Sequence, residues 1–163
     1  MPLVKRGEIV SDRWQRVAED AETMPKGDIL VSFEQWTEHK VELCKRGGAF
    51  GIRLRSDQGP ELIADDLEHF DVVALEFPAF TDGRAYSHAR LLRERFGYER
   101  EIRAVGDVLL EQLVFMQRSG FDAFEIDSDT PLDDWKVAFA DIDVWYQPTD
   151  DGRETVTQLR WRR

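Results

Sequence analysis

The chain has few of the residues that carry metal, redox or disulfide chemistry. Its 163 residues include a single cysteine, Cys44, which excludes a disulfide within one chain and a cysteine-rich metal or iron–sulfur site. The three histidines, His39, His69 and His88, are far apart and show neither an HxxxH nor an HxH spacing. No metal site is therefore predicted.

The motifs of the common cofactor and catalytic sites are missing as well. The sequence contains no GxGxxG, GxSxG or P-loop pattern, so no cofactor is evident from it. It also lacks a run of eighteen apolar residues and an apolar stretch near its N-terminus. These absences, together with the length, predict one cytoplasmic domain over residues 1–163 with no membrane partner.

Positive charge is scarce too. The chain has 22 Lys and Arg against 33 Asp and Glu, a net charge of -11. This balance disfavours nucleic acid as a partner, because sequence-independent binding to a phosphate backbone depends on Lys and Arg. An acidic surface suits docking on a partner with a basic face. The plainer alternative is that the acidity only keeps the protein soluble.

The pattern that is present alternates short apolar runs with segments of helical period. The runs predict about five strands, over 29–36, 49–56, 71–80, 101–106 and 121–127. The helical segments lie over 38–46, 60–70, 81–97, 107–120 and 131–142. The alternation predicts an α/β fold with a mainly parallel sheet, either an incomplete (β/α) barrel or an open doubly wound sheet.

The two ends of the chain depart from this alternation. Residues 1–20 alternate around Arg6-Gly7 and predict a small N-terminal β-hairpin. Residues 148–163 are polar and predict a tail outside the main sheet. The helical segment over 108–117 is apolar almost all round, which indicates burial or a homo-oligomer interface.

One charged residue interrupts each of the five predicted strands. The charges alternate in sign along the chain, at Glu34, Arg53, Glu76, Arg103 and Glu125. If consecutive strands are neighbours, these side chains can form a ladder of opposite charges, and pairing is favoured because an isolated buried charge costs several kcal/mol. The ladder is either a polar site at the carboxyl ends of the strands or a structural network of ion pairs.

The stretch FPAFTDGRAYSHARLLRER places four arginines in one predicted helix of an acidic chain. The helical period puts Ala85, Ala89 and Leu92 on the buried face, with the arginines on both flanks. The candidate anion-binding or docking residues are Asp82, Gly83, Arg84, Tyr86, Ser87, Arg90, Arg93 and Asp107. Asp107 is also placed as the N-cap of the next helix. The alternative is that the arginines pair with nearby acids such as Glu94, Glu99 and Glu101.

Residues 77–124 carry a family resemblance. The string FPAFTDGRAYSHARLLRERFGY, followed by EIRAVGDVLLEQLVFMQRSGFDAFEID, resembles a bacterial family of unknown function that is labelled as an oxidoreductase of sulfite reduction. The matching positions are Asp82, Gly83, Arg84, Tyr86, Ser87, Arg90, Arg93, Arg95, Gly106, Asp107, Gln112, Arg118, Gly120 and Phe121. Members of the family often carry Cys before the Gly-Phe pair, where this chain has Ser119.

The resemblance implies a role in assimilatory sulfate reduction at the step from sulfite to sulfide. Members of the family are typically encoded beside sulfite reductase, so sulfite reductase or its electron supply is the implied partner. Whether the chain is itself an enzyme stays open at this point. The alternative function is a small oxyanion-binding enzyme, with its site at the strand carboxyl ends around Asp82 to Arg90.

Overall fold

The computed structural model describes residues 2–5, 7–21, 23–126, 134, 137, 145–146, 148–149 and 153–161. The helix predicted over 131–142 falls almost entirely outside the described residues. Within the described part of the chain, no helix is both long and apolar enough to cross a lipid bilayer.

The described chain forms eight short strands and a series of helices. The strands are β1 (Leu3–Lys5), β2 (Glu8–Val10), β3 (Gln15–Arg16), β4 (Ile29–Ser32), β5 (Phe50–Leu54), β6 (Val72–Phe77), β7 (Glu101–Gly106) and β8 (Ala123–Glu125). The α-helices are α1 (Phe33–Lys45), α2 (Arg84–Arg90), α3 (Leu113–Arg118) and α4 (Val156–Trp161). A 3-10 helix spans Pro60–His69, α2 continues as a π-helical turn over Leu91–Arg95, and a short 3-10 turn at Leu110–Gln112 precedes α3.

All eight strands belong to one sheet, in the order β2-β1-β8-β7-β6-β5-β4-β3. Strands β3 to β8 run parallel, and β1 is antiparallel to both β2 and β8. The α/β class is confirmed, but five strands was too few and one edge is not parallel. The predicted hairpin is present as β1 and β2, and it extends the sheet. Because strands β4 to β8 are neighbours in chain order, the sheet is a curled half-barrel and not a doubly wound sheet.

The first predicted strand ends earlier than its apolar pattern indicates. The Ser32 hydroxyl accepts a hydrogen bond from the Gln35 N–H, and the Gln35 amide oxygen accepts one from the Ser32 N–H, at 3.2 and 3.0 Å. This reciprocal pair is a capping box, which starts α1 directly after β4. The prediction that Glu34 lies in a strand is therefore wrong, because Glu34 occupies the first turn of α1.

The helices pack on one face of the sheet, which we call the outer face. Alternate strand residues there form the main core with the buried sides of α1, α2, α3 and the long 3-10 helix. The opposite face, the inner face, carries a much smaller apolar cluster of Leu30, Val72, Ala74 and Val105. Trp14 packs against that cluster from outside the sheet.

A four-residue segment, here called the strap (residues 11–14), joins the two edge strands β2 and β3. Five Cα steps separate Val10 from Gln15, so the edges can be at most roughly 18 Å apart there. A flat sheet of eight strands would separate its edges by roughly 34 Å, at about 4.8 Å for each strand pair. The short connection therefore requires a curled sheet, and it carries Trp14 onto the inner face.

The predicted polar tail over 148–163 contains α4. The Val156 N–H donates to the Trp145 carbonyl at 2.7 Å, and the Arg118 guanidinium of α3 lies over the Trp145 ring at 4.1 Å. The segment around α4 is thus held against α3 by a hydrogen bond and a cation–π contact.

Gly51 in β5 tests how tightly the inner face is packed. A Cβ at this position would lie 2.7 Å from the Val72 carbonyl oxygen, so Gly51→Ala should lower the free energy of unfolding by about 1–3 kcal/mol. Gly47→Ala is the matched control, because no atom lies within 4 Å of its added Cβ. Urea unfolding of both variants checks the prediction, and equal stabilities would contradict it.

Candidate functional site

Four of the candidate anion-binding or docking residues lie at the carboxyl edge of the sheet, around the connection from β6 to α2: Asp82, Gly83, Arg84 and Asp107. The Asp107 carboxylate, just after β7, accepts a hydrogen bond from the Phe80 N–H at 2.8 Å. Its own N–H donates to the Phe77 carbonyl at 2.7 Å. The predicted N-cap role of Asp107 is wrong, because the next helical turn starts at Leu110 and Gln112 accepts from the Leu109 N–H. Asp107 instead ties the β6–α2 connection to the end of β7.

Arg84, the first residue of α2, is committed to neighbouring side chains. Its Nε and Nη2 donate to the two carboxylate oxygens of Asp82 at 3.0 and 2.6 Å, and Nη2 also donates to the Ser56 hydroxyl at 2.8 Å. The hydrogen bonds from Arg84 hold the pKa of Asp82 well below its usual range. An anion at this position would have to displace Asp82, and the oxyanion site proposed from the sequence stays a prediction.

The other arginines of the helix divide into exposed and structural ones. Arg90 pairs with Glu94 one turn later at 2.8 Å, and the Arg95 guanidinium lies over the ring of Phe96. Arg93 is different, since it donates to backbone carbonyls and one carboxylate. Its acceptors are the carbonyls of Tyr98, Arg100 and Gly120 and the side chain of Asp122. Arg93 therefore joins the loops at the amino edge of the sheet, away from the carboxyl edge.

Tyr86 of α2 packs among aromatic side chains. The Tyr86 ring packs edge-on against Phe77 at 5.1 Å and lies 4.9 Å from Phe115 of α3. Burial raises the pKa of Tyr86 to about 12, so its hydroxyl stays protonated at neutral pH. Ser87 is exposed, and Gly83 precedes α2 without a side-chain cap.

Ser119, the position at which the resembling family often has Cys, closes α3. Its hydroxyl donates to the Phe115 carbonyl at 2.8 Å, and the side chain is buried. This is a backbone-capping contact at a helix end, of the kind that Ser and Thr commonly make.

The charged strand residues lie on the inner face and form two separate groups. Arg53 of β5 pairs with Glu76 of β6 at 2.7 Å. Arg103 of β7 is only 1% exposed and contacts three carboxylates. Its partners are Asp12 of the strap at 2.7 Å, Glu101 at 2.9 Å and Glu125 at 3.5 Å. Glu76 and Arg103 form no ion pair with each other, so the two groups do not join into one ladder.

The electrostatics of Arg103 explain why a charge is tolerated at this depth. Burial alone would lower the pKa of Arg103, but hydrogen bonds to Asp12 and the charges of Glu101 and Asp12 raise it above its ordinary value. Lys5 of β1 contacts Glu101 and so offsets part of the negative charge around Arg103. The cluster is therefore a fixed cation surrounded by acids.

Glu34, the fifth member of the predicted ladder, lies apart from both groups. From the first turn of α1 it pairs with Arg55 at 2.9 Å and accepts a hydrogen bond from Gln58 at 2.9 Å. The Arg55 N–H in turn donates to the Gln58 side chain. These contacts belong to the carboxyl edge, next to Ser56 and Arg84.

Several members of these clusters were not predicted from the sequence, among them Glu101, Asp12 and Ser56. Glu101 could have been predicted, because it lies two residues before Arg103 in the strand EIRAVG and therefore on the same face of the sheet. Asp12 has no local signal, since 91 residues separate it from Arg103. Ser56 likewise meets Arg84 only through the folding of β5 beside β6.

Among the residues that the structure describes, no group of three or more His, Cys, Asp or Glu side chains is arranged to hold a metal ion. The fold and the clusters together define an α/β half-barrel with ion-paired residues on its inner face and at its carboxyl edge. The chain belongs to the family described as a bacterial protein of unknown function (DUF934), whose model matches residues 51–157. That description contains neither sulfite reduction nor an oxidoreductase activity. No curated protein and no solved structure matches the chain.

Arg103 tests whether the inner-face cluster stabilises the fold. Arg103→Met leaves three carboxylates without their buried cation, so the free energy of unfolding should fall by about 3–5 kcal/mol. Arg90→Met removes an exposed ion pair and should change it by about 0.5 kcal/mol or less. Chemical unfolding at neutral pH measures both, and similar values for the two variants would show that the cluster is not structural.

Proposed function

We propose that this protein is an accessory binding protein of assimilatory sulfite reduction, which acts with sulfite reductase or with its electron supply. The pathway comes from the family resemblance of residues 77–124, and membership of the bacterial family is consistent with it. The binding mode rests on the surface around α2. Each part has its own test below.

The observation that carries the binding mode is the outward orientation of the α2 arginines. The side chains of Arg84 and Arg90 are each 57% exposed, and each is paired with an acid of the chain itself. Arginines that bind an anion would keep donors for it, whereas Arg84 and Arg90 donate to acids of the chain itself. An open surface of paired charges suits contact with another macromolecule.

Exposed aromatic side chains in the segments next to α2 support the same mode. Phe80 and Phe115 are 52% and 58% exposed, and Tyr86 lies against Phe115. We call Phe80, Tyr86 and Phe115 the aromatic face. Aromatic residues and arginine are enriched at the energetically important centres of protein interfaces. The net charge of -11 favours a partner with a basic surface. Attraction between the opposite charges would speed the association most at low salt.

Deletion of the gene tests the pathway. A strain without this protein should fail to grow on sulfate or sulfite as sole sulfur source and should grow normally on sulfide or cysteine. Growth should return when the wild-type chain is supplied on a plasmid. Normal growth of the deletion strain on sulfite, in a host with a single copy of the gene, would refute the pathway.

Substitutions on the aromatic face test the binding mode. Phe115→Ser should weaken the association with sulfite reductase at least tenfold, because exposed aromatic anchors contribute more than about 1.4 kcal/mol at interface centres. Val41→Ser is the matched control, since Val41 is an exposed apolar residue on α1. Surface plasmon resonance at low ionic strength gives both affinities. Equal weakening by the two variants, or no association at all, would remove the aromatic face as the docking surface.

A further inference from the structure

A small cavity of about 110 Å³ lies on the inner face beside the strap. Its lining combines arginines, acids and apolar side chains: Asp12, Trp14, Arg16, Leu30, Arg53, Arg103, Val105 and Glu125. Because a water molecule takes about 30 Å³ in the liquid, the cavity has room for a group of about four heavy atoms. None of the anion-binding candidates from the α2 region belongs to this lining.

The register of the sheet places two arginines on either side of a small residue. Arg53 of β5 and Arg103 of β7 both lie opposite Ala74 of β6. Their Cα atoms are therefore about 9.6 Å apart, two strand spacings. Because the residue between them is an alanine, its small side chain leaves space above the sheet for a group that the arginines could bind.

Arg53 has hydrogen-bond donors that no described residue accepts. Its side chain is 18% exposed, and the ion pair with Glu76 is its only polar side-chain contact with the described residues. Its Nε is buried and has no acceptor within the described part of the chain. A buried charged donor without an acceptor destabilises the fold, so an acceptor at this position is favoured.

Arg16 supplies a second set of donors. It lies opposite Leu30 in the pairing of β3 with β4, so its side chain is on the inner face. Its guanidinium makes no hydrogen bond or ion pair with any residue that the structure describes. Arg16 and Arg53 together line one cavity with donors that no acid of the described chain fully uses.

The acids of the lining do not cancel these donors. Asp12 and Glu125 both contact Arg103 and neither contacts Arg16 or Arg53, while Lys5 contacts Glu101, the third acid around Arg103. Arginine can only donate hydrogen bonds, so the group that completes Arg16 and Arg53 must be an acceptor. Its planar fork suits the paired oxygens of an oxyanion.

We propose that this cavity is a binding site for a small oxyanion, held between Arg16 and Arg53 under the ring of Trp14. The apolar side chains of Leu30 and Val105 shield the anion from water and strengthen its hydrogen bonds. The site goes beyond the proposed docking function and does not depend on it. It also differs in location from an anion site at Asp82 to Arg90.

Isothermal titration of the full-length protein with sulfite, sulfate and phosphate, at constant ionic strength, tests the site. At least one of the three anions should give a saturable heat. Arg16→Gln and Arg53→Lys should each raise its dissociation constant at least tenfold, because each removes a bidentate donor. Arg53→Lys keeps a positive charge opposite Glu76, so the fold is preserved, and a thermal unfolding scan confirms this.

Arg84→Gln and Arg90→Gln are the controls, and both should bind the anion as the wild type does. Binding that is lost in Arg84→Gln and kept in Arg16→Gln would move the anion to the α2 region and overturn the proposal. Absence of saturable heat with all three anions would overturn it as well. Should Arg53→Lys prove unstable, Arg16→Gln decides alone, because Arg16 is an exposed residue of an edge strand. A preference for sulfite over phosphate would identify a sulfur oxyanion as the ligand.

Discussion

The short connection between the two edge strands is the constraint on which the rest of the structure depends. Four residues must link β2 to β3 across an eight-stranded sheet, so the sheet has to curl and the strap has to cross its inner face. The same crossing delivers Asp12 to the buried Arg103 and Trp14 to the inner apolar cluster. Sheet curvature, coverage of the second face and neutralisation of a buried cation thus have one origin.

This arrangement gives the two faces of the sheet different capacities. The outer face is filled by helices, and its arginines on α2 reach the surface already paired with acids of the chain. Among the described residues only a few cover the inner face, and there Arg53 keeps donors that its single acid cannot use. The number of arginines in a segment is therefore a poor guide to an anion site. What decides is how many of their donors the fold has already satisfied.

The parts of the fold that local patterns specify were predictable from the sequence. The apolar run over 71–80 and the alternation in EIRAVG gave β6 and β7, and the glycine turn gave the N-terminal hairpin. Strand β3 was not predictable, because two residues carry no periodicity. The end of β4 depends on the Ser32 capping box, which competes with an apolar run that continues to Trp36. Asp12 joins Arg103 only through the closure of the strap, which is a long-range event without a local signal.

The family match separates the inner-face residues that lie within the matched segment from those that precede it. Residues 51–157 contain Arg103 together with Glu101 and Glu125, and also Arg53 with Glu76. Asp12, Trp14 and Arg16 precede the matched segment. The matched strands therefore carry the buried charges, but the cover over Val72 and Val105 comes from outside the match. Apolar surface at Val72 and Val105 is costly to leave in water, so Trp14 of the strap stabilises the matched strands by covering it. Residues that precede the matched segment thus also line the cavity beside Arg53.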